Sequence, residues 1–354
     1  MTRYLTACAT VVALVVSSLA AWADSPRPTW DIDLASVFDN REGDHRYTDT
    51  KTFFFTSLAA EVGLQFTPAD RIAAGAVWYQ PLTNDCAGAK VHPTLYYRHD
   101  GGSRSPWRFS MGMFPRTQLR QQMPAFLWSD SLAYTQRNIR GALMQYEHRR
   151  GFIDAYIDWR GMQSATTREA FNVVVHGRWQ PRRQCPVIVG GHAMMNHFAL
   201  RDNAPADEHI VDNFVVNPYA GVDLSGRTAC DSLAVRLGPL VTIERNRADD
   251  AGWKSPVGAW AEAFVSWRWL AVKNTFYYGG RQFASYIPFR GDLYQGEPFF
   301  QSRFYNRTDI FGRIYRNRWV DLQASLDFHV ADGSFIFYQR LMVRVNIGNL
   351  SGRR

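Results

Sequence analysis

The chain has 354 residues, of which 46% are hydrophobic and 20% charged, and its formal net charge is +8. Downstream of the N-terminal region, no stretch approaches the roughly 18 to 20 consecutive apolar residues that a membrane-spanning helix needs, which excludes an α-helical membrane protein. The excess of basic over acidic residues alone would suit an anionic partner such as nucleic acid or an acidic polysaccharide.

The N-terminus has the composition of a secretory signal peptide. Arg3 precedes an apolar run over residues 7–19, and small residues follow it up to Ala23. This order predicts export with cleavage after Ala23, so that residues 1–23 are a signal peptide and residues 24–354 the mature chain. Because an exported chain is separated from the nucleic acid of the cell, we expect no nucleic-acid partner.

Hydrophobic and polar residues alternate along most of the mature chain, which is the pattern of strands with one apolar and one polar face. In the first strand, Trp30, Ile32 and Leu34 alternate with Asp31 and Asp33. In chain order, the sixteen predicted strands are 29–38, 52–66, 71–80, 92–99, 107–113, 139–148, 152–159, 170–179, 187–199, 213–224, 232–245, 257–268, 270–278, 303–315, 319–330 and 334–347. No linker or internal repeat divides them, so we expect one all-β domain.

The last predicted strand places two arginines among large apolar residues. In Ser334–Gly348 the odd positions are mainly apolar, whereas the even positions include Arg340 and Arg344. An arginine that faces the middle of a bilayer costs about 2–4 kcal/mol, so both arginines must face water if the other side of the strand faces lipid. The pattern predicts a membrane strand between lipid and an aqueous interior.

The connections between the strands alternate in length. Short links such as 67–70 and 149–151 alternate with long ones such as 114–138 and 279–302. This places the short links at one end of a closed antiparallel sheet and nearly all long links at the other. A closed barrel pairs every backbone amide without an open edge, as hydrocarbon requires. About sixteen strands also leave an aqueous lumen.

With these strands and connections, the mature chain resembles the sixteen-stranded porins of the outer membrane of Gram-negative bacteria. The resemblance implies a transmembrane β-barrel with short periplasmic turns and long outer loops, through which small polar or weakly anionic solutes diffuse passively. It implies three partners: the lipid and lipopolysaccharide of the outer membrane, the barrel assembly machinery, and small polar solutes. It leaves open whether the chain forms a homo-oligomer. One alternative is a non-conducting surface or assembly barrel that is plugged by its own loops.

A barrel hydrolase is the third interpretation, and the sequence offers little for it. His192 and His197 are five residues apart, so on a strand they point to opposite faces and cannot share a metal. Asp154 and Asp158 share the lumen face of one strand, where carboxylates are more often wall charges than catalysts. From these residues we expect no enzymatic activity, no catalytic residue, no metal and no cofactor.

Strand parity places a mixed set of charges on the lumen wall. Rings of such side chains set the sign of the ions that a pore admits, and the prominence of arginine favours a weak preference for anions. The alternative is that arginines and aspartates neutralise one another across the wall. The predicted wall residues are Arg98, Arg108, Arg178, Arg236, Arg268, Arg340, Arg344, Asp154, Asp158 and Asp327.

The connection 114–138 is predicted to fold into the lumen. Its apolar residues would expose too much hydrophobic surface if the loop stood in solvent, whereas packing against the inner wall buries them. The resemblance implies the same position, because the third loop narrows the pore in sixteen-stranded porins. Arg116, Arg120, Asp130 and Arg137 would then line a pore constriction. A lid over the outer mouth is the alternative.

The cysteines of the mature chain are too few for a disulfide framework, and no CxxC spacing indicates zinc. Cys185 and Cys230 fall in neighbouring short turns, while Cys86 falls in a long loop at the opposite end. Any intrachain disulfide is therefore expected to join Cys185 to Cys230.

Overall fold

Sixteen antiparallel strands form one closed barrel in the computed structural model of the chain, counted over the residues that it describes. Each strand pairs with its neighbours in sequence, and the first strand pairs with the last, from Asp31 opposite Gly348 to Glu42 opposite Phe337. The prediction of an all-β, closed, sixteen-stranded barrel is confirmed.

The strands are long enough to cross a bilayer at a tilt. Their bounds are β1 Arg27–Glu42, β2 Lys51–Gln65, β3 Asp70–Pro81, β4 Lys90–Asp100, β5 Trp107–Pro115, β6 Asn138–His148, β7 Gly151–Gly161, β8 Ala170–Trp179, β9 Val187–Phe198, β10 Val211–Asp223, β11 Ser232–Asn246, β12 Val257–Trp267, β13 Leu270–Gly279, β14 Phe304–Arg316, β15 Val320–Ala331 and β16 Ser334–Gly348. Two short α-helices, α1 Asp130–Thr135 and α2 Tyr286–Leu293, and two 3₁₀ turns, Arg116–Gln118 and Pro298–Gln301, lie in the connections.

The description covers residues 26–43, 48, 50–83, 87–102, 105–182, 185–248 and 252–349. The predicted signal peptide, Cys86 and the last five residues lie outside it. Within this part of the chain, no helix has the length and apolar character needed to span a bilayer.

The alternation in β16 places its two faces in different surroundings. On the odd side, Phe335 is 60% exposed and Leu341 44% exposed, as expected for side chains that face lipid. On the even side, Ile336 and Tyr338 are each only 1% exposed, and Arg340 follows them on the same face. The lumen side of β16 therefore carries polar side chains, and next to Ile336 and Tyr338 the lumen is filled by other parts of the chain.

Two of the connections between strands fill part of the lumen. We name residues 116–137, between β5 and β6, the first inner loop, and residues 280–303, between β13 and β14, the second inner loop. The second is slightly longer, because β5 extends to Pro115 and β6 begins at Asn138. The first inner loop is therefore the shorter of the two.

Selective labelling tests which end of the barrel faces outward. In a variant with Cys86, Cys185 and Cys230 replaced by serine, a cysteine at Asp207, in the exposed connection between β9 and β10, should react with a membrane-impermeant maleimide on intact cells. A cysteine at Thr228, in the turn between β10 and β11, should react only after the outer membrane is breached. The reverse pattern would contradict the orientation, and labelling at both positions would contradict a sealed barrel.

Candidate functional site: the lumen and its two inner loops

The two inner loops form a plug inside the barrel, and the name plug is used below for the two together. Both loops are rich in aromatic residues, whose apolar surface no single strand could cover. Burial inside the barrel removes this apolar surface from water. The largely buried apolar residues of the plug are Phe126, Leu127, Phe283, Leu293, Tyr294, Phe299 and Phe300.

The inner loops bind each other through backbone groups. The Ser129 amide donates to the carbonyl of Gln295 at 2.7 Å, and the Glu297 amide donates to the carbonyl of Ala125 at 2.7 Å. The Asp130 amide donates to Oε1 of Glu297 at 2.8 Å, which satisfies a free N–H at the start of α1. These three bonds join the two loops into one unit.

Aromatic rings attach this unit to strands β9, β12 and β14 of the wall. The ring of Phe126 lies edge-on to His192 and to Trp260, each with 5.7 Å between ring centroids. On another side, the ring of Phe299 stacks on Tyr305 at 5.2 Å. Edge-to-face and offset stacking are the preferred arrangements of aromatic pairs, and each adds about 0.5–1.5 kcal/mol beyond the burial of its area.

Asp130 is the main ionic anchor of the plug. Its Oδ2 accepts from Nη2 of Arg307 at 2.7 Å and from Nη1 of Arg340 at 3.1 Å. Burial alone would raise the pKa of the Asp130 carboxyl, but these two guanidinium groups hold it well below its usual range. The wall aspartates Asp309 and Asp327 bind the same two arginines from the other side.

Glu297 lies beside Asp130, and the pKa of its carboxyl is shifted in the opposite direction. Burial raises the pKa of its carboxyl, and the neighbouring charge of Asp130 raises it further. A carboxyl whose pKa is raised in the folded state stabilises the fold at low pH, and this contribution is lost as the pH rises through the folded value. The contribution of Glu297 is therefore larger below its folded pKa than above it, opposite in sense to that of Asp130.

Two arginines predicted to line a constriction hold the first inner loop to the wall. Arg116 forms an ion pair with Asp158 of β7, and its guanidinium lies 3.7 Å from the ring centroid of Trp128. Arg137, at the other end of the loop, forms an ion pair with Asp33 of β1.

The third predicted arginine of the loop is bound in the same way. Arg120 forms an ion pair with Glu147 of β6, and its backbone amide donates to Oδ2 of Asp154 at 2.8 Å. The four predicted constriction residues therefore anchor the loop, and the same four also line the cavity described next.

A cavity of about 1730 Å³ lies in the lumen beside the plug. It extends from the periplasmic turn 66–69 along the wall to the first inner loop. Among the described residues, no other outer connection contributes to its lining. We name this cavity the inner chamber; it lies on the periplasmic side of the plug.

The lining of the inner chamber is strongly basic, with eleven basic and only three acidic side chains among the described residues. Several of the arginines form ion pairs with carboxylates just behind the lining. The excess of positive charge in the chamber is therefore smaller than the count of side chains suggests. The basic residues are Arg27, Arg71, Arg98, Arg108, Arg116, Arg120, Arg137, Lys273, Arg307, Arg340 and Arg344, and the acidic ones are Asp100, Asp130 and Asp309.

Strand register places three of these arginines in one row. Arg27 lies opposite Gln65, Gln65 opposite Arg71, and Arg71 opposite Arg98 across successive strands. Ser110 of β5 continues the row beyond Arg98. We name Arg27, Arg71 and Arg98 the basic row; it lies near the periplasmic end of the chamber.

The other predicted wall residues have varied positions. Arg178 pairs with Asp223 at 2.9 Å, and Arg236 with Glu262 at 3.3 Å, both on the lumen side. Arg268 does not belong to the wall, because β12 ends at Trp267 and Arg268 occupies the following turn with a φ of 54°. The remaining wall residues named from parity lie on lumen-facing strand positions: Arg98, Arg108, Arg340, Arg344, Asp154, Asp158 and Asp327.

Cys185 and Cys230, the pair expected to form any intrachain disulfide, are both free cysteines in the structure. Their turns connect β8 to β9 and β10 to β11, and two strand spacings of ~4.8 Å separate the centres of such hairpins. The resulting ~10 Å exceeds the Cα separation that a disulfide spans.

The two histidines of GGHAMMNHF face opposite sides of β9. His192 is buried in the lumen, where its Nδ1 lies 3.1 Å from Oδ1 of Asn217. His197 lies on the outer surface, with its Nε2 3.6 Å from Oε2 of Glu169. Within the described part of the chain, no group of three His, Cys, Asp or Glu side chains is arranged to hold a metal.

Sequence reasoning did not place the second inner loop in the lumen. In the structure, the aromatic residues of this loop pack against the first inner loop and the wall. The density of aromatic residues was the available signal, since so much apolar surface requires a buried partner.

A closed sixteen-stranded barrel, with apolar side chains outside and a charged lumen, defines the chain as a porin-like β-barrel of the Gram-negative outer membrane. Its sequence gives the family. The model of the lipid A 3'-O-deacylase-type family matches residues 25–342, and the chain belongs to that family. No curated protein matches the chain.

Solved porins share the fold at low identity. OpdK of Pseudomonas aeruginosa, crystallised with vanillate, is similar with a TM-score of 0.53 and 10% identity over 91% of this chain and 98% of that one. OccK2 (OpdF) of the same organism gives a TM-score of 0.52 and 10% identity over 91% and 98% of the two chains. OprB of Pseudomonas putida gives 0.50 and 9% identity over 91% and 94%.

The family changes one expectation. The residues and the resemblance to porins led us to expect no enzymatic activity, and this expectation is corrected by membership of a family described by an enzymatic activity, lipid A 3'-O-deacylation. The sequence did not reveal it because no catalytic motif was recognisable in a chain that otherwise alternates in period two.

Removing the ionic anchor should loosen the plug. In Asp130→Asn, Arg307 and Arg340 lose their shared carboxylate, at a cost of about 2 kcal/mol in docking of the first inner loop. We expect a clear rise in mean single-channel conductance in planar bilayers. Asp207→Asn, in an exposed outer connection, is the matched control and should leave conductance unchanged. Equal conductance in the wild type and both variants would show that Asp130 does not control conductance through the lumen.

Proposed function

We propose that this barrel is a channel for small polar and anionic solutes, in which the plug controls passage between the outer mouth and the inner chamber. The basic lining of the chamber is the observation that carries the proposal. Charged side chains around an aqueous passage raise the local concentration of ions of opposite sign and exclude ions of the same sign.

The basic row is the part of the lining that attracts anions most directly. The nearest carboxylate recorded for Arg98 is Asp100 at 3.7 Å, and Asp100 lies closer to Arg108, at 3.0 Å. The guanidinium of Arg71 lies over the ring of Tyr96. Because guanidinium groups bind carboxylates and phosphates through paired N–H donors, small carboxylates and phosphates are the favoured solutes.

The plug supports controlled rather than open diffusion. It joins wall strands on several sides of the barrel, through Arg137 to β1, Arg116 to β7 and Asp130 to β14 and β16. A solute that enters from outside must pass beside this unit or displace it. Ion pairs at the ends of a loop allow such displacement without unfolding of the wall.

Selectivity measurements test the basic row. In Arg27→Gln with Arg71→Gln, two positive charges leave the chamber, so the ratio of anion to cation permeability should fall roughly two- to threefold in reversal-potential measurements at low salt. The control is Arg149→Gln with Arg150→Gln, which removes two exposed charges from a periplasmic turn. If both double variants change selectivity equally, net charge and not the row sets selectivity, and the proposal fails.

A second candidate function is the hydrolysis of an acyl ester of lipid A, and membership of the family is the observation that favours it. Ester hydrolysis needs a general base within reach of the lipid. Of the described His–carboxylate pairs, His99–Asp70 lies at the periplasmic end and His176–Asp154 in the lumen, whereas His197–Glu169 lies on the lipid-facing side at the outer end.

Mass spectrometry of lipid A tests this second candidate. Purified protein incubated with lipid A in mixed micelles should release one 3'-linked acyl chain, seen as a loss of the corresponding mass. His197→Ala should slow release by roughly 10²-fold or more if its imidazole is the base. His99→Ala, at the periplasmic end, is the matched control. An unmodified lipid after prolonged incubation with folded protein would exclude the activity.

A further inference from the structure

The carboxylate of Asp130 lies in a site that two wall arginines form between them. Asp130 is the first residue of α1, and its Oδ2 accepts from Nη2 of Arg307 at 2.7 Å and from Nη1 of Arg340 at 3.1 Å. Arg307 belongs to β14 and Arg340 to β16, so the carboxylate bridges two strands that are separated by β15. Guanidinium groups arranged in this way bind carboxylates and phosphates. The site therefore takes an anionic group, which in this structure the chain itself supplies.

The wall holds both arginines in place without help from Asp130. Nε of Arg307 lies 2.6 Å from Oδ1 of Asp309, on the same strand. Nη2 of Arg340 pairs with Oδ2 of Asp327, on β15. Because these contacts use nitrogen atoms other than the two that bind Asp130, they remain available when Asp130 leaves. The anion site is therefore preformed in the wall, which lowers the cost of binding another anion there.

Asp130 is the most exposed of the three carboxylates that bind these arginines. Its side chain is 24% exposed, against 4% for Asp309 and 0% for Asp327. Asp130, Arg307 and Arg340 all line the inner chamber, so an anion in the chamber reaches the site without passing the plug. A charged group that leaves its partners must be rehydrated, which is easier for a group that already faces water. Asp130 is therefore the carboxylate that exchanges with a dissolved anion.

Release of this carboxylate acts on α1, which limits the chamber on its outer side. Val37 of β1 lines the chamber, whereas Asp39 and Arg41, the next lumen-facing residues toward the outer end of the strand, bind α1. Oη of Tyr134 donates to Oδ2 of Asp39 at 3.0 Å, and Nη1 of Arg41 donates to Oγ of Ser131 at 3.1 Å. These contacts attach α1 to β1, on one side of the barrel. The bound carboxylate attaches the N-terminal end of α1 to β14 and β16.

We propose that Arg307 and Arg340 form a binding site for the carboxylate or phosphate group of a dissolved solute, and that Asp130 occupies this site as an internal ligand while no solute is bound. An anion in the inner chamber replaces Asp130, frees the N-terminal end of α1 and thereby opens the way to the outer mouth. One bound anion replaces another, so both arginines keep a counter-charge throughout. The opening step rests on the proposed channel function, whereas binding of the anion does not.

Equilibrium binding of inorganic phosphate to the detergent-purified full chain tests the site. In Asp130→Asn the internal ligand has lost its charge and no longer competes, so the apparent affinity for phosphate should rise about tenfold over that of the wild type. Asp207→Asn, the matched control in an exposed outer connection, should bind phosphate as the wild type does. Acetate is titrated in parallel to distinguish a site for carboxylates from one for phosphates, and a gain for either anion supports the proposal.

A second substitution locates the gain in affinity. Arg340→Lys in the Asp130→Asn background keeps the positive charge but loses the paired donors, so most of the gain should disappear. Arg307→Lys gives the same test if Arg340→Lys does not fold, and heat-modified mobility on gels establishes folding. Equal affinity of the folded wild type and Asp130→Asn for both anions would overturn the proposal. So would a gain that survives the lysine substitution, because the anion would then bind elsewhere in the lumen.

Single-channel recording tests the opening step separately. Inorganic phosphate added at constant ionic strength should raise the open probability of the wild type severalfold. The same addition should leave Asp130→Asn unchanged, because its α1 is already released. An equal response of the two proteins would overturn the regulation by solute. Silence of both in planar bilayers, together with the expected phosphate binding, would instead contradict the proposed channel and leave the anion site in place.

Discussion

The fold depends on the need to pair every backbone amide and carbonyl inside hydrocarbon, where no water can replace a missing partner. The pairing of β1 with β16 satisfies this need by closing the sheet. Once the sheet is closed, each strand separates lipid from lumen, and side chains must alternate between the two. Arg340 and Arg344 can therefore stand in an otherwise apolar strand, since on the lumen side they meet the carboxylates of Asp130 and Asp33.

Closure with sixteen strands creates an interior too wide for wall side chains to fill. The chain fills part of it with its two inner loops, which contact the wall in two ways. The rings of Phe126 and Phe299 pack on His192, Trp260 and Tyr305 of the wall. The ion pairs of Asp130, Arg116 and Arg137 join the first inner loop to wall strands on different sides of the barrel. Because these pairs are largely buried, salt screens them less than it screens surface pairs.

Parity along single strands was enough to predict the barrel, its strand number and the lumen-facing arginines of β16. It failed where no periodic signal exists. Arg268 was assigned to a wall strand because the chain turns one residue earlier than the alternation suggests. The second inner loop escaped prediction because its partners, Ala125 and Ser129, are more than 160 residues away in sequence.

The wall of the barrel separates a charged lumen from a largely apolar outer surface. Charged side chains face the lumen from the basic row to the plug, whereas Ile157 of β7 and Met195 of β9 face outward. His192 and His197 illustrate the division, because five residues of one strand separate a buried lumen position in contact with Phe126 of the plug from an outward-facing position beside Glu169. A substitution on one face of a strand therefore leaves the side chains of the other face in place, because successive residues point to opposite sides.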